Sequence, residues 1–483
     1  GGRAWSKGDW ATAGLAAGAV GLLPVILFFT AARSFTVADP FIWELHTRYI
    51  AEFQSLLRSW TTKGSNWDFA ATFLPIFVLL PAVALVLRRS TPAELRAQLL
   101  LALCPAAAGW IQGFNQVRWL GLAYGLSVPA IALCFRSLEG SAEKLARTRT
   151  IWFFAGTALF VPGLVNAFRE AHAGAKFANN EIRHLAERDV AHWLRQRSGS
   201  APVTVASAPT STTLLISQGG FAGLDTLYWE NREGLKQAAA LFATSSVGTA
   251  QATIRRLGVT HIVFFSWDPF AFTLAELFRG LPPGSPALTD TFIAKLLAAD
   301  VPPAWLRELP FPLPDHPAFS GEQIRIWEVV PEQTPAAAAA HAASYAMELE
   351  KREPALRLAA SLARFGDELA PAVMLAGIEA RQQDAAGFST AMNRILALLP
   401  EAGALALDDH VQLVVALAVA DRLELAREQL VACVRKIDEA SLRRLSPGTL
   451  SDLLALSEGL RVDLPDPALK RLAQQLVPPM RRK

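Results

Sequence analysis

The sequence predicts a multi-pass α-helical membrane domain of five spans, followed by an outer-side α/β domain and an all-α helical-repeat tail. Three observations carry that expectation. Apolar residues make up 52% of the chain and charged residues only 18%, against about 25% charged in ordinary soluble domains. Nearly all the long uncharged runs lie before Arg169, and the rest reads as soluble protein. Past Pro331 the composition turns rich in alanine and leucine at helical spacing. The expected domains are 1–169, with a long outer loop over 33–68, then 170–330, then 331–483.

A bilayer core of about 30 Å takes roughly 20 apolar residues in a helix. The segments 11–32, 69–87, 97–114, 119–135 and 151–168 meet that requirement. The chain opens on Gly1 with Arg3, Lys7 and Trp10 leading into the first run, so it is expected to continue upstream. A cleaved signal peptide is the rival reading, but the apolar run is longer than a usual signal core. Arg3, Lys7, Arg88, Arg89, Arg96, Arg136, Lys144, Arg147 and Arg149 fall on one side of these spans. The smaller set of Arg33, Arg48, Arg58, Lys63 and Arg118 falls on the other. Basic residues are retained on the cytoplasmic side, which puts the 33–68 loop and everything after Arg169 outside. Prolines at 75, 81, 105, 129 and 162 sit within the spans, where neighbouring helices satisfy the freed carbonyls.

The outer loop is far longer than two antiparallel spans need, and Trp43, Tyr49, Phe53, Trp60 and Trp67 give it enough aromatic surface to pack. Of its acidic residues, Glu52 lies in an apolar frame, Tyr49-Ile-Ala-Glu52-Phe-Gln54. A carboxylate there can ligate a hard divalent cation or polarise an amide or hydroxyl. A solvated glutamate on an amphipathic loop helix is the plainer reading of the same residues. Arg118, in Phe114-Asn-Gln-Val-Arg118-Trp119, stands at the outer junction of two spans. A guanidinium at that level grips a phosphate bidentately, or simply snorkels beside a belt tryptophan.

After the last span, 170–196 has helical spacing and 202–206 reads as a strand, with a further element starting at 213–217. A helix over 246–257 stops at Gly258 before the β-rich Val259-Thr-His-Ile-Val-Phe-Phe265, the grammar of a small α/β unit. A proline-rich segment over 302–314 precedes a closing strand over 324–330. In the tail, Ala380–Ala386 and Ala420–Ala426 occupy equivalent places about 40 residues apart, each joining two amphipathic helices, as in tetratricopeptide-like hairpins. Such hairpins suit a protein partner better than catalysis.

A net charge of +3 offers no nucleic-acid-scale basic surface. Cys104, Cys134 and Cys433 have neither disulfide-framework nor zinc spacing.

Together these features resemble the oligosaccharyltransferase catalytic subunit and, more widely, the GT-C class of membrane glycosyltransferases, over about residues 1–330. Tyr49-Ile-Ala-Glu52-Phe-Gln54-Ser-Leu56 is similar to that family's outer-loop motif, and Arg118-Trp119 with Tyr124 and Pro129 to the segment whose arginine contacts the lipid-linked pyrophosphate. Leu227-Tyr-Trp229-Glu-Asn231-Arg-Glu-Gly234 resembles a Tyr-His-Arg-Asn segment of bacterial relatives.

The resemblance implies a polyprenyl-phosphate-linked sugar donor, a divalent cation (Mg or Mn) held in part by Glu52, and donor phosphate binding by Arg118. It implies acceptor or loop packing by Tyr49, Gln54, Trp229 and Asn231. It also implies a bacterial cytoplasmic membrane location, in contact with membrane lipid, with the C-terminal domains periplasmic. Three departures stand against it. The family's Trp-Trp-Asp motif, due near 208–213, is absent. Its other catalytic carboxylates belong to an N-terminal half. The helical tail is extra. A non-catalytic membrane-anchored scaffold for envelope partners is the alternative.

Overall fold

The computed structural model describes residues 39–50, 55–56, 71–137, 142–172, 177–227 and 231–477 and is mostly helical. The chain divides into two compact units, Gly1–Lys176 and Phe177–Lys483.

In the first unit, helix α1 (Pro40–Tyr49) begins where Asp39 accepts the amide hydrogens of Phe41 and Ile42, with Pro40 in the first turn. Capping by aspartate and proline at the first position is what a helix start favours. A 3-10 stretch, Leu74–Leu79, leads into α2 (Leu80–Leu87). The long helices are α3 (Ala93–Asn115), α4 (Leu120–Arg136) and α5 (Ala142–His172).

Among the described residues, three segments are long and apolar enough to cross a membrane: Ala93–Asn115, Val117–Arg136 and Leu145–Val165. They fall on the last three expected spans. Ala71–Leu87 is apolar but shorter, and Pro75 and Pro81, each lacking an amide hydrogen, stand at the starts of its 3-10 and α portions. The run 11–32 lies outside the described residues. Pro105, Pro129 and Pro162 lie inside α3, α4 and α5.

Helices α3 and α4 pack through small residues, as membrane helices do. A Cβ at Gly109 would lie 3.0 Å from the Ala123 Cα, and one at Gly113 would lie 2.9 Å from Leu120 Cδ2. Trp110 Nε1 donates to Ser127 Oγ at 3.1 Å inside this contact. The outward faces keep Leu101, Ile111, Val128, Phe153, Phe154 and Phe168 exposed. A patch of that kind on a soluble protein would drive association.

The second unit opens with α6 (Asn179–Ser198) and continues through β1 (Thr204–Ala206), α7 (Pro209–Gly219), β2 (Ala222–Gly223), α8 (Arg232–Ala243), α9 (Val247–Leu257) and β3 (His261–Phe265). Then come α10 (Phe270–Arg279), α11 (Phe292–Ala298), β4 (Leu306–Leu309) and β5 (Ile324–Val329). The sheet runs β2-β1-β3-β5-β4. Its first three strands are parallel, with Thr204 opposite Ala222 and Val205 opposite His261. The pairs β3/β5 and β4/β5 are antiparallel, with Ile262 opposite Trp327 and Leu309 opposite Ile326.

Strands β1, β3 and β5 and helix α9 fall where periodicity places them. The element expected at 213–217 is part of helix α7, and β4 lies inside the proline-rich segment. Helix α6 starts at Asn179, since α5 runs to His172. Gly258, at φ +64, ends α9 in the left-handed conformation that glycine adopts without steric cost.

The remaining helices are α12 (Pro335–Glu348), α13 (Arg352–Leu362), α14 (Leu369–Gln382), α15 (Ala385–Leu398), α16 (Leu407–Val419), α17 (Leu423–Val434), α18 (Glu439–Arg444), α19 (Pro447–Gly459) and α20 (Pro467–Leu476). Four helix pairs turn on a left-handed non-glycine residue: Glu350, Gln383, Asp421 and Arg461. The first helices of these pairs pack in succession, α12 on α14, α14 on α16 and α16 on α19, around one core of alanine, leucine and valine.

This array is not detached from the sheet. Helix α12 lies on β4 and α18 on α6. Arg197 donates to the Leu445 carbonyl at 3.1 Å, and Arg443 to that of Gln196 at 2.8 Å. Arg357 holds Asp300 through two bonds of 2.9 and 2.7 Å.

Candidate functional site

Strand β1 leads through α7 to β2 on one side of it, while β3, reached through α8 and α9, pairs on the other. The connection therefore changes direction between β1 and β3. Open α/β sheets bind ligands in the crevice outside the carboxyl ends of the strands at such a point. Here those ends carry Ser207 after β1, Asp225 just after β2, and Ser266-Trp267-Asp268 after β3. The first turn of α7 adds Ser211 and Thr212.

The polar groups at this edge are buried and interlocked. Thr212 Oγ1 donates to Asp225 Oδ1 at 3.0 Å, Ser211 Oγ to Asp268 Oδ2 at 2.8 Å, and Trp267 Nε1 to Glu187 Oε1 at 2.7 Å. Asp225 is 0% exposed and Glu187 2%. Asp225 Oδ2, Glu187 Oε2 and Ser207 Oγ are buried without a hydrogen-bond partner.

Burial pushes the Asp225 carboxyl up to about 7; the Thr212 bond opposes the rise and the Asp268 charge adds to it. Glu187 is pushed up to about 7, again chiefly by burial, with the Trp267 bond opposing and Asp268 adding. Charged carboxylates lose solvation on burial and hold their protons instead. Two such acids and a serine hydroxyl without a partner can both donate and accept hydrogen bonds, but all three are buried.

The first unit carries two of the sequence-derived residues that the structure describes, Tyr49 and Arg118. Arg118, in the 3-10 turn Val117–Trp119 between α3 and α4, is exposed. Its Nε and the Trp119 Nε1 both donate to Gln116 Oε1 at 3.1 Å, and its guanidinium lies 5.0 Å from the Trp119 ring centroid. Tyr49 is half-buried at the end of α1. His46, one turn earlier on α1, is lowered to about 4, mostly by burial and in part by the Arg118 charge.

Glu52, Gln54 and Trp229 lie outside the described residues. Asn231 is an N-cap: its Oδ1 accepts from Gly234 N at 3.2 Å and its Nδ2 donates to the Leu224 carbonyl at 3.2 Å. That ties the start of α8 to the end of β2.

No protein-family model and no curated protein sequence matches the chain. The functional reading therefore stands on the chain's own residues.

Among the described residues, one group of side chains could hold a metal ion. His341 on α12 and Asp408 and Asp409 at the start of α16 bring three ligand atoms within 4.8 Å of one another. Neither Asp225 nor this group was singled out by the sequence. A usable signal existed for the first: Ser207, Thr210, Ser211, Thr212 and Thr213 crowd the loop and first turn after an apolar strand.

Proposed function

We propose that this chain is a membrane glycosyltransferase-like protein that moves a sugar or oligosaccharide from a polyprenyl-phosphate-linked donor to an extracytoplasmic acceptor. The observation that carries the reading is the exposed Arg118 in the turn that joins two membrane-length helices. A cationic group at the edge of an apolar helix pair is placed to hold a lipid phosphate, and the following loop residues, Glu52 among them, stand next in sequence. In this reading the full membrane domain has five spans, the C-terminal unit is periplasmic in a bacterial cytoplasmic membrane, and the tail is a tetratricopeptide-like repeat that binds a protein partner.

The transfer inverts the anomeric carbon. The acceptor oxygen or nitrogen forms the new bond, and the bond to the donor phosphate breaks with its electron pair leaving on the lipid phosphate. The acceptor proton passes to a carboxylate. Arg118 holds the departing phosphate through charge-assisted hydrogen bonds. Glu52 would help to hold a divalent cation, Mg or Mn, which would supply charge neutralisation at the departing phosphate.

The test is donor-dependent glycan transfer by the full chain bearing Glu52→Gln or Arg118→Ala. Loss of transfer at normal expression is expected from each. Unchanged transfer in both sinks the assignment.

A second reading, a scaffold for envelope partners, is favoured by a groove of about 560 Å³ between α12, α13 and α14, lined by Lys351, Arg352, Leu356, Ile378 and Arg381. Retained partner capture by a transfer-dead variant separates the two.

A further inference from the structure

Acidic residues in the first turn of a helix are ordinary chemistry, since the amide dipoles there favour negative charge. The pair Asp408 and Asp409 on α16 is different because of what faces it. His341 Nε2 lies 3.6 Å from Asp408 Oδ2 and 3.6 Å from Asp409 Oδ2. The imidazole is nine-tenths buried, and Nε2 has no hydrogen-bond partner. A separation of 3.6 Å is too long for a hydrogen bond. It is what two ligands of one ion show when each bond is about 2.0–2.2 Å and the angle between them is near tetrahedral.

The tautomer follows from a neighbour. Gln333 Nε2 donates to the carbonyls of Ala304 and Leu306, at 3.2 Å each, which fixes its amide with Oε1 toward His341 Nδ1. An amide oxygen only accepts. Nδ1 therefore carries the hydrogen, and the Nε2 of a neutral ring presents a bare lone pair to two carboxylates. Acceptors crowded together in this way repel, and the one cation bonded among them, the Arg307 guanidinium, reaches the Asp408 Oδ2 that faces the ring. A hydrogen bond from the far ring nitrogen is also how metal-ligating histidines are held. Arg307 bonds Asp408 as well. A carboxylate has lone pairs enough for a guanidinium and an ion together.

We propose that His341, Asp408 and Asp409 form a divalent-metal site of the borderline, zinc-binding class. One imidazole and two carboxylates suit a first-row ion such as Zn²⁺ better than Mg²⁺ or Ca²⁺, which prefer all-oxygen shells. The ion joins α12 to α16 and, through Arg307 and Gln333, to β4. Its role is to hold the helical array on the sheet, and it is independent of the glycan-transfer reading.

The experiment uses the full chain in detergent, stripped with a chelator, loaded with Zn²⁺ and desalted. One retained zinc per chain is expected, with a raised melting temperature. His341→Ala and Asp409→Asn should each retain none. X-ray absorption on the zinc-loaded wild type covers the case of a variant that fails to fold: the expected shell holds one imidazole with oxygen neighbours. No retained zinc in the wild type, retention unchanged in both variants, or a shell without imidazole overturns the proposal. In the first case the cluster is an imidazolium salt bridge.

Discussion

Replacing Asp225 by asparagine isolates the cost of the buried acid at the strand ends. Asparagine keeps an oxygen for the Thr212 hydroxyl and puts an uncharged amide where Oδ2 has no partner. A carboxyl lifted from its ordinary 3.8 to about 7 costs the fold about 4 kcal/mol when it ionises in place, at roughly 1.4 kcal/mol per tenfold change in proton affinity. Below the unfolded value both states hold the proton, and the effect vanishes. Between the two values the folded state keeps a proton that the unfolded chain releases, so stability falls as pH rises. Above about 7 the whole cost is borne.

Glu187 acts in the same direction, from 4.5 to about 7. The wild type should therefore melt lower at pH 8 than at pH 4.5, and Asp225→Asn should recover most of the Asp225 share at pH 8 while changing little at pH 4.5. Unfolding of the full chain in detergent, followed by tryptophan fluorescence at both pH values, reads this directly. An equal shift at both, or a loss confined to pH 8, refutes the account of a proton-holding crevice.

Three further outcomes are expected. Arg325 binds Glu308 through two buried bonds, of 2.5 and 2.7 Å, and donates to the Leu297 carbonyl at 2.6 Å. Arg325→Met removes both guanidinium bonds from the buried Glu308 carboxylate and should cost about 3–5 kcal/mol, measured by chemical denaturation. Gly109→Val drives a side chain into the Ala123 backbone and should destabilise the α3–α4 pair by about 1–3 kcal/mol, read as a lower melting temperature in detergent. Asn231→Ala removes the α8 cap at a cost of about 1 kcal/mol; hydrogen exchange in the first turn of α8 should quicken while the sheet stays protected.

The legible parts of the sequence were those in which one local signal suffices. Run length alone marks α3, α4 and α5. Gly258 between a periodic helix and an apolar run marks the α9–β3 corner. Strand β4 escaped because Leu306-Arg-Glu-Leu309 holds two charges between prolines, and its partners Asp408 and Arg325 come from elsewhere in the chain. Asp225 escaped for the same kind of reason. Nothing next to it signals burial, which arises when α7 crosses back over the ends of β1 and β2. His341, set in an alanine-rich helix, and the two aspartates far along the chain are joined only by tertiary packing. Arg118 was visible from its place between two spans, and its neighbour His46 was not.

The sheet closes late. Strand β3 waits for β5 as its antiparallel partner, and β4 sits at one rim with its carbonyls at Ala304 and Leu306 taken by the side chain of Gln333. The opposite rim, β2, is two residues long. Exposed strand rims recruit other chains, and pairings distant in sequence form slowly. During synthesis, then, β3 stays open to misassociation until β5 emerges, and the rim of β4 until α12 follows. A ribosome pause or a chaperone acting just before that helix would change the yield of folded chains without altering any property of the finished protein.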